Sequence, residues 1–356
     1  MTEKSQDDSR GRSAQDGRLR VPEIPPFAPP PPVPPPDDRP REEKASPPPP
    51  ARRESFFAKK RPWLNAALFV LTVASTYFVG LSQSAAYVLI ERNGPDAASD
   101  LEPSILADAA VVRMSLLYVV VLMGILLGHE LGHYLACRRY GIDATLPYFM
   151  PFPNLIGTLG AFIKIRSPIQ RKKQLFDIGA AGPLTGFLLA LPALAYGLSR
   201  SRVTVDSGGD SWLSLGDPLI LNLLAGAFSP DSSSAILLHP VAFAGWVGML
   251  VTAFNLFPVG QLDGGHIVYA LFGRRARLVA RASLVAFAVL GVFFWVGWFV
   301  WAVLILLVGL KHPPIWDERA PLSSSRKLLA AALVLIFILS FIPDPIEGFS
   351  LLSLIR

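Results

Sequence analysis

Apolar runs of about twenty residues recur along this chain, separated by short polar connectors, after an opening stretch with almost no apolar character. The runs fall near residues 63–81, 111–135, 176–198, 236–257, 278–310 and 328–342. About twenty apolar residues in a helix cross the hydrocarbon core of a bilayer. The run at 278–310 is too long for one crossing and is expected to turn near Trp295 and Trp298, which makes about seven spans. The basic clusters Lys59-Lys60-Arg61, Arg138-Arg139, 171–173 and 274–277 then fall on one side. By the positive-inside rule that side is cytoplasmic, and it carries the N-terminus, with the C-terminus outside.

The pattern changes in four places. Residues 1–62 carry proline runs at 29–32, 34–36 and 47–50 among charged residues and are expected to be a disordered cytoplasmic tail. Residues 141–174 follow no helical period. Pro147, Pro151 and Pro153 mark 146–152 as an interfacial or re-entrant loop, whereas 158–166 alternate with period two and predict a strand in a small membrane-edge β-element. Such a strand could receive an unwound substrate segment by β-addition. Residues 199–231 read as a polar outer loop, and 344–356 as a C-terminal tail. The fold class expected is therefore an α-helical polytopic membrane protein, with a membrane domain at 63–343.

Composition supports membrane residence, with 51% hydrophobic and only 17% charged residues. The single cysteine, Cys137, excludes an internal disulfide framework. The net charge of +6 sits beside apolar segments, as membrane flanks require, so nucleic acid is not an expected partner.

Two polar motifs interrupt the apolar runs. His129-Glu130-Leu131-Gly132-His133 stands near the inner end of the second run. On a helix the two histidines lie four apart on one face and can share a metal ion, while Glu130 can take a proton from water. Ionisable groups at membrane depth are costly and point to a functional site. The fourth run ends in Asn255-Leu256-Phe257-Pro258-Val259-Gly260-Gln261-Leu262-Asp263-Gly264-Gly265-His266, where proline and glycine break the helix at the same inner boundary. Depth makes Asp263 the candidate third ligand. His266, three residues further on, is its rival and otherwise a support for it. Cys137, four residues after His133, shares the histidine face and reads as a small packed residue, since another thiolate would close the open position that hydrolysis needs. The small residues Gly179, Ala180, Ala181, Gly182 and Pro183 allow close helix packing at the start of the third run.

Together, the H-E-x-x-H, the Asn255-x-x-Pro258 through Leu262-Asp263-Gly264-Gly265 segment, the small residues between them and the strand at 158–165 resemble the site-2 protease family of intramembrane zinc metalloproteases. The match covers residues 110–270. The resemblance implies one Zn2+ per chain on His129, His133 and Asp263, with Glu130 as general base and Asn255 holding the scissile carbonyl. Where many members carry a second proline before the Leu-Asp-Gly, this chain has Gly260. No segment is long enough for the PDZ domain some members carry, which is similar to the compact branch that includes the chloroplast members.

The expected partners are a membrane-protein substrate with a transmembrane segment, the lipid bilayer, and a proline-recognising protein for the tail. A membrane zinc transporter or sensor using the same ligands is the alternative. The expected location is a multi-pass integral membrane position with a cytoplasmic active-site side, in a bacterial inner membrane.

Overall fold

The third apolar run becomes the helix around which the others gather. The computed structural model describes residues 62–94, 102–204, 215–228, 235–309, 313, 315–318 and 320–355, all within one compact unit, Arg53–Arg356. The proline-rich tail expected at 1–62 lies outside the described residues except for Pro62.

Helix α1 (Pro62–Asn93) and helix α2 (Ala109–Arg139) run antiparallel, α2 opening where the Asp108 carboxylate accepts the Ala110 N–H at 2.7 Å. Between α2 and the next helix, β1 (Tyr148–Pro151) and β2 (Thr158–Phe162) form an antiparallel hairpin, with Tyr148 opposite Phe162 and an irregularity between Phe149 and Pro151. A strand thus replaces part of the loop expected at 146–152. Pro151 is tolerated because it sits at a strand end, where no ladder donor is lost. The predicted strand is shorter than expected, stopping at Phe162, and one isolated bridge, Ala144 to Ile165, prolongs the pairing. The hairpin is tied to the helices by Ser75 Oγ donating to the Gly157 carbonyl at 2.6 Å and Tyr118 OH donating to the Ile156 carbonyl at 2.8 Å.

Helix α3 (Lys172–Leu198) packs on α2 and on the later helix α5. The outer loop expected at 199–231 contains β3 (Arg202–Thr204) and α4 (Leu219–Phe228); β3 pairs antiparallel with β4 (Ala235–Leu237). Helix α5 (Pro240–Leu256) has 17 residues, nearly all buried. The chain breaks at Phe257 and restarts as α6 (Asp263–Phe272), continuing through one 3-10 turn into α7 (Ala276–Phe293). Helix α8 (Gly297–Val308) follows a turn at Phe294, close to the expected split near Trp295. Helices α9 (Ser324–Ser340) and α10 (Leu351–Ile355) complete the described chain.

The count of about seven spans is not confirmed. Four helical stretches are long and apolar enough to cross a membrane, namely α1, α2, α3 and the joined α6–α7 stretch Asp263–Phe293. The reason is length. At 1.5 Å per residue, α5 and α9 reach about 26 Å and α8 about 18 Å, against a core of about 30 Å. A run of apolar residues does not reveal whether a helix faces lipid or, as α5 does, other helices.

One clasp closes the basic end of the bundle. Arg326, in the first turn of α9, donates to both oxygens of Asp177 on α3, at 2.8 and 2.7 Å, and Tyr140, after α2, also bonds Asp177. Burial and the bond to Asp177 hold the Tyr140 hydroxyl above its ordinary pKa range. Arg326→Met leaves Asp177 half-buried with only Tyr140 as partner, and is expected to cost about 1–2 kcal/mol. Thermal unfolding of the purified protein checks this, and an unchanged midpoint would show that the clasp is solvent-screened and idle.

Candidate metal centre

Helical periodicity brings His129 and His133 to one face of α2, where both are buried. The α5–α6 break supplies the third group. Leu262, with φ −68° and ψ 162°, redirects the chain, and Asp263 begins α6 with its carboxylate turned to the histidines. Three atoms converge: His133 Nε2 lies 3.2 Å from His129 Nε2 and 3.1 Å from Asp263 Oδ2, and His129 Nε2 lies 3.3 Å from the same oxygen. Among the described residues, these three form the one group of three or more His, Cys, Asp or Glu side chains able to share an ion.

Hydrogen bonding tests whether a cation fits. His133 Nδ1 lies 2.7 Å from the Ile178 carbonyl, which only accepts, so Nδ1 carries a proton. A neutral ring held this way turns its Nε2 lone pair toward a carboxylate oxygen and a second imidazole nitrogen. Three electron-rich atoms in that arrangement repel unless a proton or a metal cation sits among them. The spacing agrees as well, because tetrahedral zinc with ligand bonds of about 2.0–2.1 Å separates its donors by about 3.3–3.4 Å. The donor set and its spacing therefore fit zinc.

Around these atoms α3 forms a wall without side chains. A Cβ added at Gly182 would run into the His133 ring, and one at Gly186 would stand 3.0 Å from His129 Nδ1. At Gly179 it would lie 2.9 Å from His266 Cβ and 3.1 Å from the Asp263 carbonyl. Gly132 of α2 completes the close approach, its absent Cβ leaving room for the Ala181 carbonyl. Of the small residues noted at 179–183, Gly179 and Gly182 thus face the site. Gly186 was missed, although positions 179, 182 and 186 share one helical face. The Ile178 carbonyl was missed too, and no side-chain pattern signals a backbone acceptor.

Glu130 is buried on α2 between the two histidines. Asn255, near the end of α5, places Nδ2 3.4 Å from His129 Nε2. His266 stands in the first turn of α6, against α3, outside the converging trio. Cys137 is buried among Ile142 and Ile178, as a packed residue would be. His239 is remote, accepting the Val241 N–H to cap α5. Gly260 has φ +55°, a left-handed conformation that the fixed φ of proline excludes, so the turn before Asp263 here requires glycine.

A His-His-Asp trio with both histidines buried and a glutamate between them on the same helix, held among apolar membrane-type helices, defines the metallopeptidase class within a membrane protein. Residues 117–297 match the model of Peptidase family M50, just over half of the chain, and the chain belongs to this family, that of the site-2 proteases. It is 34% identical over 221 residues to the probable zinc metalloprotease EGY1, chloroplastic, of Arabidopsis thaliana, covering 59% of this chain and 39% of that protein. It is 34% identical over 198 residues to EGY2 of the same plant, covering 54% and 34%, and 28% identical over 239 residues to EGY3 of Oryza sativa subsp. indica, covering 60% and 40%. The chain thus spans about two-fifths or less of the length of these relatives. The expected bacterial inner membrane is corrected by the same finding, because these relatives are chloroplastic plant proteins.

Proposed function

We propose that this chain is an intramembrane zinc metalloendopeptidase that cleaves transmembrane or juxtamembrane segments of other membrane proteins. The convergence of two Nε2 atoms and one carboxylate oxygen within 3.3 Å, beside buried Glu130, carries the reading. His129, His133 and Asp263 would hold one zinc per chain. Zinc, when bound, supplies Lewis acidity that makes water nucleophilic near neutral pH. Glu130 accepts a proton from the attacking water as its oxygen bonds to the scissile carbonyl carbon. The same residue delivers the proton to the amide nitrogen when the C–N bond breaks, leaving a carboxylate and an amine. Asn255 orients the scissile carbonyl through its amide N–H. The packing of β2 against α2, the helix that carries Glu130, supports an extended substrate lying along the β2 side of the hairpin, since a helical peptide bond has its carbonyl already engaged. The chloroplastic relatives favour a chloroplast membrane as the setting.

Transport of zinc by the same ligands is the weaker reading. A path across the bilayer needs successive donor clusters, and the described residues contain this one. Metal removal separates the two. Chelation of the purified protein in detergent is expected to abolish cleavage of a transmembrane reporter, and one equivalent of zinc per chain to restore it. Undiminished cleavage by metal-free protein, or zinc uptake into proteoliposomes without any cleavage, would sink the proposal.

A further inference from the structure

A cavity of about 530 Å³ lies where α1 begins and α2 ends, lined by Asn65, Tyr134, Arg138, Leu146, Tyr148 and Arg166 among others. Both helices are long enough to span a membrane, so their paired ends place the cavity at the level of a membrane surface. Two of its walls are cationic. Arg138 is exposed and lies over the Tyr134 ring, 6.0 Å from its centroid. Arg166 is largely buried, with Nη1 3.3 Å from Asp143 Oδ2, yet its Nε–H is buried without a hydrogen-bond partner. A buried charged donor lacking an acceptor is costly, and it leaves Arg166 with bonding capacity that its Asp143 contact does not use. With Asp143 offsetting one arginine, the lining keeps a net positive charge, and Lys59, Lys60 and Arg61 directly precede Pro62 in sequence.

Neighbouring surface decides what kind of anion. Trp63, Leu135 and Leu146 are exposed next to this basic cavity, at 65, 63 and 50%. An amphipathic ligand matches such a rim, with an anionic head for the arginines and acyl chains along the apolar side chains. A soluble anion would have no use for that rim.

We infer that the α1–α2 cavity binds the anionic headgroup of a membrane lipid, held by Arg138 and Arg166. This site is separate from the metal centre and does not depend on the proposed peptidase activity.

The test follows thermal unfolding of the purified full chain in an uncharged detergent. The probes are dihexanoyl phosphatidylglycerol, dihexanoyl phosphatidylcholine, inorganic phosphate and hexaglutamate. Phosphatidylglycerol is expected to raise the midpoint saturably, and the other three to have no such effect. Arg138→Met and Arg166→Met are each expected to weaken the apparent Kd for phosphatidylglycerol about five- to tenfold, with zinc content unchanged. An equal response to phosphatidylcholine would remove the anionic headgroup, and an equal response to phosphate would make this a free-anion site. Competition by hexaglutamate would assign the cavity to an acidic peptide instead. Should Arg166→Met fail to fold for want of its Asp143 contact, Arg138→Met, at an exposed helix end, decides alone. Undiminished affinity in that variant overturns the inference.

Discussion

Glu130→Gln is expected to retain zinc while losing cleavage of a transmembrane reporter by about 10²–10⁴-fold, the range removed with a general base. Glutamine keeps the size of the side chain, so the packing around a residue only 6% exposed is preserved. Its amide cannot accept the proton that the attacking water must shed. His129, His133 and Asp263 are untouched, and metal analysis should therefore read as in the parent protein. Asp263→Ala behaves differently, because it deletes the oxygen that both Nε2 atoms approach and metal and cleavage should fall together. Cleavage by Glu130→Gln within tenfold of the parent would remove Glu130 from the chemistry, whatever its metal content.

Legibility of this protein in its sequence divides along a physical line. His129, Glu130 and His133 could be read because helical geometry is local and residues four apart must share a face. Asp263 lies 130 residues from His133, and became legible through depth, since both motifs end apolar runs on the same basic side. The hairpin was legible as to β2, where period two is unbroken, and not as to β1, where prolines hid a strand that is stabilised by pairing and by its docking against α1. Helix α4 was hidden in a similar way, a ten-residue, mostly apolar stretch inside a polar connector. The count of about seven spans is not confirmed, because hydrophobicity reports burial without saying whether lipid or protein provides it; α5 is enclosed by α2, α3 and α9. The bond from His133 to the Ile178 carbonyl was out of reach altogether. It depends on how α3 crosses α2, and the glycines that permit that crossing announce only that some close approach occurs.

Gly182→Ala is expected to weaken zinc binding about five- to 150-fold without removing any ligand. The new methyl would occupy space held by the His133 ring, so the ring or α3 must move. Neither moves freely: His133 Nδ1 is bonded to the Ile178 carbonyl at 2.7 Å, and α3 is held against α2 where the Ala181 carbonyl meets Gly132. Overpacking in a rigid core costs about 1–3 kcal/mol. Because His133 Nε2 must stay near Asp263 Oδ2 to serve as a ligand, that cost falls on metal affinity, and 1.4 kcal/mol corresponds to about a factor of ten. Gly124→Ala supplies the control on α2, since a Cβ there meets nothing within 4 Å. It should leave affinity unchanged and favour the helix slightly, alanine being the better helix former. Competition with a zinc indicator measures both variants. Equal affinity for Gly182→Ala and Gly124→Ala would mean that the ring has room to retreat, and that the glycine wall of α3 serves helix packing alone.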